Sequence, residues 1–127
     1  MIRTKRKIIK NTDEPLVAGV HHNLKMSAKI SKSKLAIILS KLERFYEAKV
    51  RLEQYAMEGE VASAILWHAH LFGEIEGKKI CDLGCGTGIL GIGALLLGAE
   101  SATLVEIDKQ ALEIAKINYS KVKSEGY

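Results

Sequence analysis

A glycine-rich stretch in the second half of the chain constrains the fold more than any other feature. From Lys78 to Ala99 it reads KKICDLGCGTGILGIGALLLGA. The segment from Lys79 to Leu83 predicts a short strand, and Gly88 to Leu97 predicts a helix that ends with Gly98 in the C′ position. A glycine-rich turn between a strand and a helix lets a ligand approach the backbone and directs the first N–H groups of the helix at it. We therefore expect a nucleotide-like ligand above this turn.

The order of the glycines allows two kinds of nucleotide site. Gly84 to Gly88 form a G-x-G-x-G loop, and Gly86 to Gly91 read G-x-G-x-x-G, the dinucleotide fingerprint. That fingerprint is a weak signal without its structural context. The glycines by themselves leave both kinds of site open.

The remaining hydrophobic pattern predicts an α/β fold. Apolar residues recur at steps of three and four from Ser33 to about Phe45, and a second helix is expected from about Glu60 to Phe72. A strand from Ala102 to Ile107 follows the glycine-rich segment, and Asp108 is placed to cap a helix from Lys109 to about Tyr119. The order is two helices followed by a β-α-β-α unit. Such a unit requires parallel strands and a right-handed crossover.

Asp82 separates the two kinds of ligand by charge. It ends the first predicted strand, two residues before the glycine loop. An acid at this position would repel the pyrophosphate of a dinucleotide but suits a cationic ligand. S-adenosylmethionine is such a ligand, because it has an α-ammonium group and a sulfonium centre and no phosphate. We expect Asp82 to order the ammonium end, while three glycines let the methionine part approach the backbone: Gly84, Gly86 and Gly88.

Glu106 and Ile107 supply the other end of the predicted site. Glu106 ends the second strand, where its carboxylate can accept both ribose hydroxyls, and Ile107 offers an apolar surface to adenine. Ribose capture is common to dinucleotide and S-adenosylmethionine sites, so Glu106 does not discriminate between them. The simpler alternatives are that Asp82 caps a turn and that Glu106 is a surface acid.

Charge and composition divide the 127-residue chain into an arm and one domain. Residues 1–34 hold nine Lys or Arg against Asp13 and Glu14, whereas the rest of the chain is slightly acidic. Residues 1–32 lack periodicity and contain the only proline, Pro15, so we interpret them as a basic arm with little fixed structure. The arm is either an RNA contact or a solvated tail. Residues 33–127 form the folded part.

Several other classes of protein are disfavoured. The longest apolar run, around Ala94 to Leu97, is too short for a membrane span, and the N-terminus does not resemble a signal peptide. We expect Cys81 and Cys85 to be plain buried thiols in a reducing cytoplasm. His68 and His70 lie two apart on a predicted helix and point in different directions, so no metal site is expected.

Two motifs carry a resemblance to a known family. D-L-G-C-G-T-G followed by V-E-I-D resembles motifs I and II of class I S-adenosylmethionine-dependent methyltransferases. Leu52 to Tyr55, L-E-Q-Y, is similar to an element of the archaeal and eukaryotic adenine-N6 methyltransferases that act on small-subunit ribosomal RNA. The similarity covers about Ser33 to Ile117. It implies a Rossmann-like sheet, represented by its N-terminal portion, and it implies that Gln54 and Tyr55 line the cofactor pocket.

The chain departs from this family in one important respect. The family's (Asn/Asp)-Pro-Pro-aromatic motif, which positions the target amine, is absent, because Pro15 is the only proline. We therefore nominate no catalytic residue and expect an incomplete methyltransferase domain that a second protein chain could complete. Two alternatives are kept: a non-catalytic protein that binds nucleic acid or a partner, and a fragment of a dinucleotide-binding oxidoreductase.

Overall fold

The computed structural model describes residues 16–21, 30–44 and 57–127. Their seven elements run in the order β1 (Leu16–His21), α1 (Lys32–Ser40), α2 (Gly59–Leu71), β2 (Lys79–Leu83), α3 (Ile89–Leu96), β3 (Ser101–Glu106) and α4 (Lys109–Ser124). None of the helices in these ranges has the length and apolarity needed to cross a membrane.

The predicted β-α-β-α unit is confirmed. β2 pairs in parallel with β3, with Lys79 opposite Ser101 and Leu83 opposite Val105. Gly98, with φ of 95°, follows the last residues of α3 as expected. Asp108 caps α4, because its side chain accepts a hydrogen bond from the Gln110 N–H. α4 is longer than predicted, since its buried face continues beyond Tyr119 to Val122.

The prediction of little fixed structure in the arm is wrong for six residues. Leu16–His21 forms β1, which pairs antiparallel with β3, so the strand order is β1-β3-β2. The physical reason is the edge of β3, whose unpaired N–H and C=O groups need partners. A short segment, LVAGVH, provides them without showing the alternation that identifies a strand from sequence. The rest of residues 1–29 lies outside the described ranges.

α1 ends five residues earlier than predicted, at Ser40 rather than about Phe45. Continuing the helix would require the Glu43 N–H to bond to the Leu39 carbonyl. That N–H instead donates to Oδ1 of Asn118, at 2.7 Å. The chain leaves the helix at its C-cap, Lys41, and the Glu43 N–H then finds its acceptor 75 positions away, which no local pattern indicates.

The core lies where α3 packs against β2 and β3 and where α1 and α2 pack against α3. Two glycines allow the helices to approach closely. A Cβ at Gly59 would lie 2.6 Å from the Ser40 nitrogen, and a Cβ at Gly93 would collide with the side chain of Leu66. The fully buried side chains of this core include Leu35, Leu39, Ile92, Leu95 and Leu96.

Candidate functional site

The glycine loop lies between β2 and α3, at the carboxyl end of the parallel pair. Gly84, Gly86 and Gly88 have φ values of 72°, 55° and 85°, which strain any residue with a side chain. The N–H groups of Gly84 and Cys85 donate to the Val105 carbonyl at 2.8 and 3.0 Å, and these bonds attach the loop to β3. A Cβ at Gly84 would meet nothing within 4 Å. The space beside Gly84 is therefore open to a ligand.

Glu106 lies directly behind this loop. The residue is 8% exposed, and its Oε2 accepts a hydrogen bond from the Gly86 N–H at 2.8 Å. Oε1 accepts from the Asp108 N–H at 3.0 Å. Glu106 therefore joins the loop to the start of α4, a contact that the sequence did not predict. A carboxylate has about four lone-pair sites, so these two bonds do not use its full capacity to accept hydrogen bonds.

Asp82 lies beneath the first turn of α3. Its Oδ2 accepts from the Gly91 N–H at 3.0 Å. The N-cap of this helix is Gly88, which has no side chain, so Asp82 satisfies one of the N–H groups that a capping side chain would otherwise take. Gly91 must be small, because a Cβ there would collide with Leu104 and lie 3.3 Å from the Asp82 carboxylate.

Burial raises the pKa of Asp82 above its usual value, the Gly91 hydrogen bond opposes that shift, and the negative charge of Glu106 adds to it. Two neighbouring carboxylates thus give the site a negative potential. A cationic ligand would relieve this repulsion, and a pyrophosphate would increase it. The arrangement favours a ligand with a positive charge and hydroxyl groups.

The two cysteines differ from each other. Cys85 is buried in the loop, as expected, and burial, followed by the charges of Asp82 and Glu106, raises its pKa to about 12. Its thiol therefore stays protonated and does not act as a nucleophile. Cys81 is exposed, which corrects the prediction that both thiols are buried, because alternate residues of β2 face the open side of the strand.

The remaining predicted site residues are Ile107, Gln54 and Tyr55. Ile107 follows Glu106 and is 54% exposed, so its side chain is accessible. Its contact with adenine stays a prediction. Gln54 and Tyr55 lie outside the described residues. Within the described ranges, no group of His, Cys, Asp and Glu side chains could hold a metal ion.

Sequence reasoning missed Asn118, which is fully buried in α4. Its Nδ2 donates to the Thr87 carbonyl in the glycine loop at 2.9 Å and to the Glu43 carbonyl at 3.0 Å. A signal existed in the sequence. Asn118 interrupts the apolar face of α4, between Ala115 and Val122, and a buried polar residue on such a face needs hydrogen-bond partners.

The sequence of the chain is similar to those of several known proteins. Residues 64–125 match the profile of the ribosomal protein L11 methyltransferase (PrmA) family. The chain is 40% identical over 93 residues to the protein MJ0284 of Methanocaldococcus jannaschii, covering 73% of this chain and 42% of that one. It is 40% identical over 81 residues to the rRNA N(6)-adenosine-methyltransferase METTL5 of Danio rerio, covering 63% of this chain and 39% of METTL5.

The chain is also similar in structure to a protein whose crystal structure is known. PH1948 of Pyrococcus horikoshii, a proposed RNA methyltransferase, superposes with a TM-score of 0.69 and 51% identity, covering 72% of this chain and 46% of PH1948. The chain spans about two fifths of the length of the curated relatives it matches. The expectation of a Rossmann-like methyltransferase fold is confirmed.

Proposed function

We propose that the chain, whose sequence and fold resemble those of class I S-adenosylmethionine-dependent methyltransferases, is the cofactor-binding part of an rRNA adenine-N6 methyltransferase. One observation carries the proposal. The glycine loop, the buried Glu106 and the partly buried Asp82 meet at one edge of the sheet in a chain that is 40% identical to METTL5 over 81 residues. That similarity is longer than the 64–125 segment matched by the PrmA profile, which favours an RNA substrate over a ribosomal protein.

The proposed cofactor is S-adenosylmethionine. In this proposal Asp82 orders the ammonium group, Glu106 accepts the ribose hydroxyls, and Ile107 covers one face of adenine. The three glycines at positive φ let the methionine part approach the loop backbone. The negative potential of the site supports this cofactor over a dinucleotide, whose pyrophosphate would be repelled.

When bound, S-adenosylmethionine supplies an electrophilic methyl group. The described residues around the loop fix the position of this donor. The acceptor amine must be held about 3–3.5 Å from the methyl carbon, in line with the breaking bond. The family motif that does so needs two consecutive prolines, and the sequence has only Pro15. The acceptor-orienting groups are therefore proposed to come from another polypeptide segment.

The outer edge of β2 is the proposed docking place for that segment. Within the described residues β2 pairs only with β3, and Leu83 at its end is 76% exposed. An open cleft of about 240 Å³ lies beside this edge, between α2, β2 and α3, and is mostly apolar. A strand with one unpaired edge next to an apolar cleft is suited to accept a further strand.

A chimera tests the proposal. The chain would be joined to the part of PH1948 that it does not match, and incubated with labelled S-adenosylmethionine, small-subunit rRNA and ribosomal protein L11. We expect labelled N6-methyladenine in the chimera and none with the 127-residue chain alone. Labelling of ribosomal protein L11 in place of the RNA would contradict the substrate assignment. Methylation of the RNA by the 127-residue chain alone would contradict the proposal that another segment orients the amine.

A further inference from the structure

The side chain of Asn118 uses its whole hydrogen-bonding capacity as a donor. Both Nδ2 protons are engaged, by the carbonyls of Thr87 and Glu43, and Oδ1 accepts from the Glu43 N–H at 2.7 Å. The residue has no exposed surface. Lys121, one turn further along α4, donates to the Lys41 carbonyl at 2.8 Å. α4 thus holds both the glycine loop and the segment that follows α1.

The hydrogen bond to Thr87 fixes one peptide unit of the glycine loop. The Thr87 carbonyl and the Gly88 N–H belong to the same peptide group. The carbonyl accepts from Asn118, and the N–H donates to the Cys85 carbonyl at 2.8 Å. Rotation of this peptide would therefore break two hydrogen bonds at once.

The next peptide unit continues the same pattern. The Cys85 carbonyl shares a peptide group with the Gly86 N–H, which donates to Glu106 Oε2 at 2.8 Å. An unbroken row of hydrogen bonds therefore runs from the Asn118 amide through two peptide groups to the Glu106 carboxylate. All of the N–H groups in the row point toward the carboxylate, and aligned bonds of this kind strengthen one another.

We propose that Asn118 is a positioning residue for the cofactor site, acting on the glycine loop and, through it, on Glu106. The inference rests on the proposed function for its ligand. The glycines on both sides of Thr87 restrict the backbone little, so the loop needs an external partner to keep one conformation. Without the Asn118 donor, the Thr87 carbonyl lacks its partner and the Thr87–Gly88 peptide can rotate away from the ligand.

Asn118→Asp tests this inference in the full chain. The variant keeps the size of the side chain and the acceptor for the Glu43 N–H, but it loses the donors to both carbonyls. Tyr119→Phe is the matched control on the same helix, because the buried Tyr119 hydroxyl has no hydrogen-bond partner among the described residues. The readouts are the amide resonances of Gly86 and Gly88 in ¹⁵N–¹H spectra and the affinity for S-adenosylhomocysteine by calorimetry.

We expect Asn118→Asp to shift both glycine resonances and to weaken S-adenosylhomocysteine binding at least tenfold, while Tyr119→Phe changes neither. Unchanged glycine resonances in a folded Asn118→Asp variant would overturn the inference. So would a variant that binds as tightly as the parent chain. If the parent chain does not bind S-adenosylhomocysteine, the proposed function fails, and the glycine resonances still decide the role of Asn118.

A measurement on the unaltered chain covers the case in which Asn118→Asp does not fold. Both side-chain amide protons of Asn118 should exchange with solvent at least a hundredfold more slowly than those of an exposed asparagine. Fast exchange of these protons would overturn the inference, because it would mean that the bonds to Thr87 and Glu43 are not maintained.

Discussion

Glu106 joins the glycine loop to the start of α4 through its two carboxylate oxygens, so changing it affects both ligand binding and folding. Glu106→Ala should weaken S-adenosylhomocysteine binding at least tenfold, because charge-assisted hydrogen bonds contribute about 1.5–3 kcal/mol each. It should also lower the free energy of unfolding by about 1–3 kcal/mol, since two backbone N–H groups lose their acceptor. Calorimetry and urea unfolding measure the two effects.

Asp108→Ala is the matched control for Glu106. The Asp108 side chain caps α4, and removing a cap costs about 1 kcal/mol. The affinity of Asp108→Ala for S-adenosylhomocysteine should stay within about twofold of that of the parent chain. Equal losses of affinity at both positions would contradict the assignment of Glu106 to the ribose.

The charge that we propose for ligand binding, on Asp82, comes at a cost to stability. Its pKa is raised in the folded chain, so the folded state binds its proton more tightly than the unfolded state does. The protonated Asp82 carboxyl therefore stabilises the fold fully when the pH is below its pKa in the unfolded chain. This stabilisation is lost as the pH rises through the higher pKa in the folded chain. Asp82→Asn should therefore unfold at the same or a higher urea concentration than the parent at pH 7, yet bind S-adenosylhomocysteine about tenfold more weakly.

The same carboxylate predicts the pH dependence of binding. Affinity for S-adenosylhomocysteine should fall as the pH is lowered through the raised pKa of Asp82, because the protonated carboxyl no longer attracts the ammonium group. In Asp82→Asn this fall should be smaller. Calorimetry between neutral and acidic pH measures it, and identical pH profiles for the two proteins would show that Asp82 does not face the charge of the ligand.

At the scale of the elements, local pattern predicted the β-α-β-α unit because each element contains its own signal. Gly98 ends α3 and Asp108 begins α4, and both signals lie within one turn of the boundary. β1 and the end of α1 could not be predicted in this way. The first depends on the free edge of β3, and the path of the chain after the second includes a bond from the Glu43 N–H to the distant Asn118.

The candidate site shows the same division. The sequence predicted which residues lie at the ends of the two strands. Asp82 and Glu106 each end a predicted strand, and the glycines form the turn after the first strand. The hydrogen bonds among them could not be predicted, because they join positions 20 residues apart for Gly86 and Glu106 and 31 apart for Thr87 and Asn118. These bonds are set by how α4 and β3 pack beside the loop.

The contact between α1 and α2 depends on a glycine at the start of α2. A Cβ at Gly59 would lie 2.6 and 2.9 Å from backbone atoms of Ser40 and Ala36, which cannot move without shifting α1. Gly59→Ala should lower the free energy of unfolding by about 1–3 kcal/mol. Gly73→Ala is the comparison, because its Cβ meets nothing and only its positive φ is strained, at about 1 kcal/mol. Urea unfolding measures both, and a smaller loss at Gly59 would contradict this packing.

At the scale of the whole molecule, charge is segregated. The N-terminal 34 residues carry a net charge of +7, whereas the remainder is acidic, and the candidate site contains the neighbouring carboxylates of Asp82 and Glu106. If the arm contacts RNA, deleting residues 1–15, which leaves β1 in place, should weaken binding to small-subunit rRNA and reduce its dependence on salt. Gel shifts at rising salt test this, and unchanged affinity would exclude residues 1–15 from RNA binding.

We propose that the glycine loop and its two carboxylates bind S-adenosylmethionine. Calorimetric titration of the chain with S-adenosylhomocysteine and with NAD tests it most directly, with circular dichroism used to establish that the chain is folded. We expect S-adenosylhomocysteine to bind more tightly than NAD, because Asp82 attracts its ammonium group and repels a pyrophosphate. Tighter binding of NAD, or no binding of either ligand by a folded chain, would contradict the claim.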